Sequence, residues 1–194
     1  MRSETILIGP PFAGKSTIGK LLSQELGLPQ VSLDQLRWEY YREIGYNDTL
    51  AQEIRQKGGF IAVVAYWSLF NSHAISRILA DYTYCVFDFG AGPIVFENDL
   101  LSNQIKNALE PFANVVRLLP SPDLEESIQV LHERSRHLQG TNVQGFDWSA
   151  FFVQHKQNRM LAKHQIYTGM KTPTETCAEI LTVIQTIDRV KTNT

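Results

Sequence analysis

The sequence predicts an α/β layer fold, and two observations carry that prediction. Short apolar runs alternate along the chain with segments of helical periodicity. A glycine loop joins the first such run directly to the first such helix. At 194 residues, one domain with a substantial core is the economical reading. The 18 basic and 20 acidic residues leave a formal charge of −2, which argues against nucleic-acid binding through a strongly basic surface. The first residues carry no apolar leader-like stretch, and no run approaches membrane-span length. The expectation is a cytoplasmic protein with no membrane and no nucleic-acid partner, either a monomer or a weak homodimer.

"ETILI" (4–8) reads as a buried strand running into the loop. Ile18, Leu21, Leu22 and Leu26 then recur at helical spacing, and Gly27 with Pro29 stops that helix. "QVS" is a short strand ending just before Asp34. The long apolar stretch 58–80 exceeds strand length and is read as helix. "YTYCVFD" (82–88), "NVVRLL" (114–119) and "QIYT" (165–168) are the remaining strands. In "SPDLEES", Ser121 is expected to cap a helix with Pro122 at its first position. "TPTE" (172–175) forms a capping box, and behind it Cys177, Ile180, Leu181, Ile184 and Ile187 make one apolar stripe. The polar stretch 137–149 is the one segment expected to be a mobile loop. The two cysteines, Cys85 and Cys177, read as buried small hydrophobes.

The chemistry starts at "GPPFAGKS", which fits G-x-x-x-x-G-K-[ST] at Gly9, Gly14, Lys15 and Ser16. Average residue usage makes this a roughly one-percent accident in a chain of this length, and the flanking strand and helix lower the odds of chance further. Loop N–H groups, including those about Ala13, with a helix N-terminus behind them at Ser16 and Thr17, converge on phosphates. Lys15 would reach the outer phosphates and the Ser16 hydroxyl would ligate Mg²⁺. Asp88 ends its strand as a metal-holding Walker B aspartate would; its plainer role is a turn or cap residue. "DFG" at 88–90 is not a protein-kinase motif, since no catalytic-loop partner occurs.

With these residues in view, the chain resembles the shikimate kinase branch of small P-loop phosphotransferases. Residues 6–34, "ILIGPPFAGKSTIGKLLSQELGLPQVSLD", read like that family's strand, loop and first helix. Weaker similarity includes "FGAG" (89–92), "VVRLLPSPDLEESIQVLHER" and "NRMLAKHQIYTGMKTPTETCAEIL". The resemblance implies a three-layer α/β/α P-loop NTPase sandwich over residues 1–194, with a five-stranded parallel sheet in the order 2-3-1-4-5. It implies transfer of the γ-phosphoryl group of ATP, with Mg²⁺, to a hydroxyl of a small-molecule acceptor. Residues 34–80 would form the acceptor-binding helical region and 134–150 a lid-like loop. Asp34 matches the aspartate that grips and activates the acceptor hydroxyl, and Gly90 and Gly92 the glycines beside the acceptor. Arg134 would lie near the adenine, Arg136 would serve as the lid cation, and Arg159 matches the arginine that pairs with the acceptor's carboxylate.

Two departures follow. Ser32 stands where the family has a magnesium-shell aspartate, so Asp88 would take that role. Asn71, in "FNSHA", stands where the family has a second carboxylate-binding arginine. Losing one such contact costs an anionic acceptor on the order of 1.5–3 kcal/mol. The aromatic residues Trp38, Tyr40, Tyr41, Phe60, Tyr66, Trp67 and Phe70 are either core or the lining of a pocket for a flatter, less acidic molecule.

Single residues keep plainer alternatives. Asp34 could be a helix N-cap, Arg134 a helix-end cation, and Arg159 part of a solvated face. The five histidines show no ligand spacing. The reading is therefore a small-molecule kinase with an altered acceptor pocket. Its rivals are a nucleoside, nucleotide or sugar-acid kinase, and a nucleotide-binding regulatory module without turnover.

Overall fold

The computed structural model describes residues 2–90, 92–96, 98–136 and 146–192. The chain opens with β1 (Arg2–Ile8), a loop, and α1 (Lys15–Leu26). Gly27, at φ 64°, ends α1 in the left-handed conformation that glycine adopts freely. β2 (Gln30–Ser32) leads straight into α2 (Leu33–Glu43), followed by α3 (Asp48–Asp81) and β3 (Val86–Asp88). A 3₁₀ turn (Gly92–Ile94), α4 (Asp99–Leu109) and β4 (Phe112–Leu119) come next. Then follow α5 (Leu124–Arg136), α6 (Trp148–Gln154), α7 (Lys156–Leu161), β5 (His164–Tyr167) and α8 (Pro173–Thr192).

All five strands are parallel, in the order β2-β3-β1-β4-β5. The strands are mostly apolar on both faces, with Thr5, Asn114 and Arg117 among the buried polar exceptions, as a sheet covered by helices on both sides requires. Alternate residues feed the two layers: Ile6, Ile8 and Phe87 join the core under α2, α3 and α4. Leu7, Val86, Val116 and Leu118 join the core under α1 and α8. A third cluster, built on Phe60, Val63, Val64, Val95 and Phe152, brings α3 against α6. Cys85 and Cys177 are free and buried, as expected.

The expected helix over 58–80 forms, and it continues upstream to Asp48. Gly59, at φ 71° and ψ −163°, breaks it, a conformation open to glycine and strained for other residues. The strand expected over 82–88 is shorter. Tyr82 still accepts the role of C-cap to α3, and Tyr84 turns through φ 54°, so the ladder starts only at Val86. The cap of α5 also differs from expectation. Asp123, not Ser121, accepts the first free N–H, from Glu126 at 2.8 Å. Pro122 therefore lies outside the helix, and the Ser121 hydroxyl instead binds the Glu126 carboxylate at 2.6 Å. The capping box of α8 is present: Glu175 N–H donates to Thr172 Oγ1 and Thr172 N–H to Glu175 Oε2. In the stripe behind it, Cys177, Ile180 and Ile184 are buried, while the Ile187 side chain lies outside the described residues. Of the stretch expected to be mobile, Trp148 and Ser149 open α6, and 137–145 lie outside the described residues.

Candidate active site

β1 delivers the glycine loop of residues 9–14 to the carboxyl end of the sheet, where open α/β folds place their ligands. Gly9 sits at φ 137°, and a methyl group there would lie 2.4 Å from the Leu118 carbonyl oxygen on β4. Only glycine fits that close approach. Phe12 follows at φ 63°, an unusual conformation for a non-glycine residue, and Gly14 at φ 92° forms the N-cap of α1. Such left-handed steps turn successive N–H groups toward one concavity. Ala13 is buried beneath the loop, and Thr17 is exposed on the first turn of α1.

Lys15 is only 8% exposed, and its ammonium donates to the Pro10 carbonyl at 2.8 Å. Burial lowers its pKa, while the charges of Asp88 and Asp34 oppose that shift. Asp88, at the end of β3, is 4% exposed. Burial raises its pKa, against a hydrogen bond from the Ser16 hydroxyl and the charge of Lys15. The buried loop lysine and strand-end aspartate and the exposed loop serine therefore form one constellation. Among the described residues no cluster of three His, Cys, Asp or Glu side chains could hold a metal alone. One carboxylate beside one hydroxyl fits Mg²⁺, which takes its other oxygens from phosphates and water.

Asp34 sits in the first turn of α2, behind the N-cap position of Ser32. Its carboxylate lies over Gly90: a methyl group there would come within 2.8 Å of both oxygens. Arg37, one helical turn on, pairs with Asp34 at 3.4 Å and rests on the Trp38 ring at 4.7 Å. A cavity of about 370 Å³ opens beside these groups, within the usual range for small-molecule sites. Lys15, Ser16, Asp34, Arg37, Asp88, Gly90 and Gly92 line its polar side. Phe60, Val64, Trp67, Trp148 and Phe152 form its apolar wall, with Asn71 set among them.

The structure thus brings Lys15, Ser16, Asp34, Asp88, Gly90 and Gly92 together. It leaves three expected arginines outside the cavity lining. Arg134 donates to the Phe12 carbonyl at 3.2 Å and to Thr168 Oγ1 at 3.4 Å, bracing the phosphate loop. Arg136 is exposed at the end of α5. Arg159 is exposed on α7, where its charge lowers the pKa of the buried Arg117 after burial itself. The aromatic residues divide: Phe60 and Trp67 line the cavity, while Tyr40, Tyr41 and Phe70 are core. Arg37, Val64, Trp148 and Phe152 are wall residues that sequence reasoning missed. Arg37 follows Asp34 at i+3, and Phe152 follows Trp148 at i+4; both spacings put side chains on one helix face.

No protein-family model and no curated protein sequence matches the chain. Solved structures do. A shikimate kinase from Acinetobacter baumannii in complex with shikimate superposes with a TM-score of 0.60 at 20% identity, covering 96% of this chain and 94% of that one. Shikimate kinase from Aquifex aeolicus gives 0.55 at 21% identity, covering 95% and 96%. The Bacillus subtilis protein YorR, in complex with phosphorylated GDP, gives 0.57 at 17% identity, covering 95% and 98%. The chain has the fold of the shikimate kinase-like P-loop kinases. The parallel sheet in the order 2-3-1-4-5 is the expected one. At these identities the likeness is one of fold, and the acceptor has to be argued from the pocket. Among the described residues no helix is long and apolar enough to cross a membrane.

Proposed function

We propose that the chain is a magnesium- and ATP-dependent kinase that phosphorylates a hydroxyl group of a small molecule. The observation that carries this reading is the meeting of three groups in one cavity. Lys15 supplies a cation for phosphate, the Ser16–Asp88 pair supplies hard oxygen ligands, and Asp34 stands across from them over Gly90. Phosphoryl transfer asks for little else, because positioning and charge neutralisation supply most of its catalysis.

In this mechanism the loop N–H groups and Lys15 hold the phosphates of ATP. Ser16 and Asp88 would hold Mg²⁺, which neutralises charge on the β- and γ-phosphate oxygens when bound. Asp34 orients the acceptor hydroxyl and takes its proton as the acceptor oxygen bonds to the γ-phosphorus. The bond from that phosphorus to the bridging oxygen breaks, and ADP leaves with the electron pair. Lys15 exchanges its bond to the Pro10 carbonyl for phosphate oxygens, a replacement that needs only rotation of its flexible stem. Arg136, at the open end of α5, is the proposed cation that closes over the transferring group. The reading does not rest on Arg159.

The test is ADP release from Mg-ATP across a panel of hydroxylated acceptors, with Lys15→Ala as the blank. Stimulated release that disappears in Lys15→Ala supports the kinase. Mg-ATP binding with no stimulation by shikimate, gluconate or any nucleoside overturns it in favour of a nucleotide-binding module.

A further inference from the structure

Asn71 is 3% exposed, yet it is part of the cavity wall. Its neighbours fix which end of its amide the cavity meets. Arg37 is a pure hydrogen-bond donor one turn before Tyr41 on α2, close enough for its charge to act on the Tyr41 hydroxyl. A guanidinium accepts no hydrogen bond, so beside it the hydroxyl turns its own proton elsewhere. It goes to Asn71: the Tyr41 hydroxyl donates to Oδ1. Burial holds the Tyr41 phenol in its protonated form at physiological pH. The relay therefore runs one way, from guanidinium to phenol to amide oxygen. The oxygen of Asn71 is spoken for, and the NH₂ end is what remains for a ligand.

The other end of the relay adds a second donor. Arg37 Nε is buried with no partner among the described residues, and Arg37 also lines the cavity. The charges, by contrast, balance. Lys15 and Arg37 face Asp34 and Asp88 in the described lining, leaving no surplus cation for a carboxylate. Phe60 and Trp148 meet with ring centroids 3.6 Å apart, and Phe152 stacks on Trp148 at 5.9 Å. That wall offers flat apolar faces, which suit a planar ring.

We propose that the Arg37–Tyr41–Asn71 relay makes this wall donor-only, and that the acceptor is an uncharged, hydroxylated compound whose planar ring carries a carbonyl at its edge. Keto nucleosides have this chemistry. The ring packs against Trp148 and Phe60, the carbonyl accepts from the Asn71 amide, and the sugar hydroxyl reaches Asp34. An amino group at the same ring position would meet donor with donor and leave buried N–H groups unpaired, which such sites reject strongly. The inference deepens the kinase reading and rests on it for the fate of the hydroxyl.

The experiment compares two pairs of probes that differ in keto against amino at that edge, uridine with cytidine and inosine with adenosine, and includes shikimate. Binding is read by tryptophan fluorescence without ATP, and turnover by ADP release with it. The expected result is that the keto member of at least one pair binds at least tenfold tighter than its amino partner. Asn71→Asp replaces the donor by an acceptor of the same shape, and it should reverse that preference through Kd and KM while kcat changes less. Tyr41→Phe, which frees the amide to turn over, should erase the preference without reversing it. Tight keto-nucleoside binding without turnover would sustain the pocket assignment and sink the kinase reading. Turnover of shikimate with no response to any nucleoside would do the opposite. An unchanged preference in Asn71→Asp overturns the relay.

Discussion

Ser32 and Asp88 are register partners across the β2–β3 ladder, so their side chains leave the sheet on the same face at neighbouring positions. Where the resemblance expects an acid at the end of β2, this chain has Ser32, and Asp88 stands beside it on β3. Asp88 also lines the cavity with Ser16, whose hydroxyl holds its carboxyl's pKa down against burial, and Ser32 is not part of that lining; this makes Asp88 the better placed of the two for a metal. Ser32→Ala should therefore leave turnover within about threefold, while Asp88→Asn should weaken Mg²⁺ dependence by at least 10–100-fold, the usual cost of disturbing even an outer partner of a metal ligand. Titration of ATP turnover against Mg²⁺ in the two variants measures this. Loss of activity in Ser32→Ala with Asp88→Asn intact would reverse the assignment.

The same aspartate has a stability signature. Its folded pKa is raised above the unfolded value of about 3.9, so the folded state binds the extra proton in the window between them. Stability from this group is therefore lost as pH rises through that window. In nucleotide-free protein, Asp88→Asn should lack this decline. Urea midpoints of both proteins between pH 3.5 and 7 test it, and parallel curves would contradict the burial of the charge.

Gly90 separates stability from activity. Its conformation is open to any residue, but an added methyl would sit 2.8 Å from both Asp34 oxygens. The Asp34 side chain is 59% exposed and can swing away, so Gly90→Ala should cost under about 1 kcal/mol of stability. A displacement of about 1 Å at a reacting group is enough for a loss of roughly 10²-fold in kcat. A variant with unchanged thermal midpoint and wild-type kcat would show that Asp34 does not act from its present place.

The glycine loop and the capping box of α8 were legible because each rests on local chemistry: glycines at fixed offsets, a lysine-serine pair, a threonine three residues before a glutamate. The sheet order came from the family resemblance alone, since strand order is a tertiary property. The cap of α5 was misread by two residues because Ser121 and Asp123 are both good caps, and only the tertiary bond from Ser121 to Glu126 decides between them. The acceptor wall was half legible. Trp67 and Asn71 fall on one face of α3, whereas Trp148 and Phe152 come from a helix some eighty residues away. Spacing within α2 puts Arg37 on one face with Asp34 and Tyr41, but the link from Tyr41 to Asn71 on α3 is tertiary, and no spacing contains it.

Lys15 ties nucleotide binding to a cost in the free protein. Its folded pKa is lowered by burial from an unfolded value of about 10.4, so the folded state binds fewer protons in that window. Stability rises with pH across the window and carries the full penalty below it. Lys15→Met should therefore match or exceed the wild-type midpoint at pH 7 without nucleotide. Saturating Mg-ATP at 100 times Kd adds about 2.7 kcal/mol to the wild type, a shift of roughly 5–10 °C for a domain of this size. The variant should show none, and calorimetry with and without Mg-ATP reads both effects.

Arg134 links the phosphate loop to the strand β5 end, donating to the Phe12 carbonyl and to Thr168. Phe12 holds a strained left-handed conformation, which the surrounding contacts must enforce. Removing this brace should loosen the loop for every ligand that uses it. Arg134→Ala is thus expected to weaken ATP, GTP and inorganic tripolyphosphate by similar factors, on the order of tenfold for one charge-assisted hydrogen bond. A base-contacting arginine behaves differently: its loss weakens ATP and spares tripolyphosphate. Competition among the three ligands in wild type and Arg134→Ala decides between a loop brace and an adenine contact, and the bond to Phe12 favours the brace.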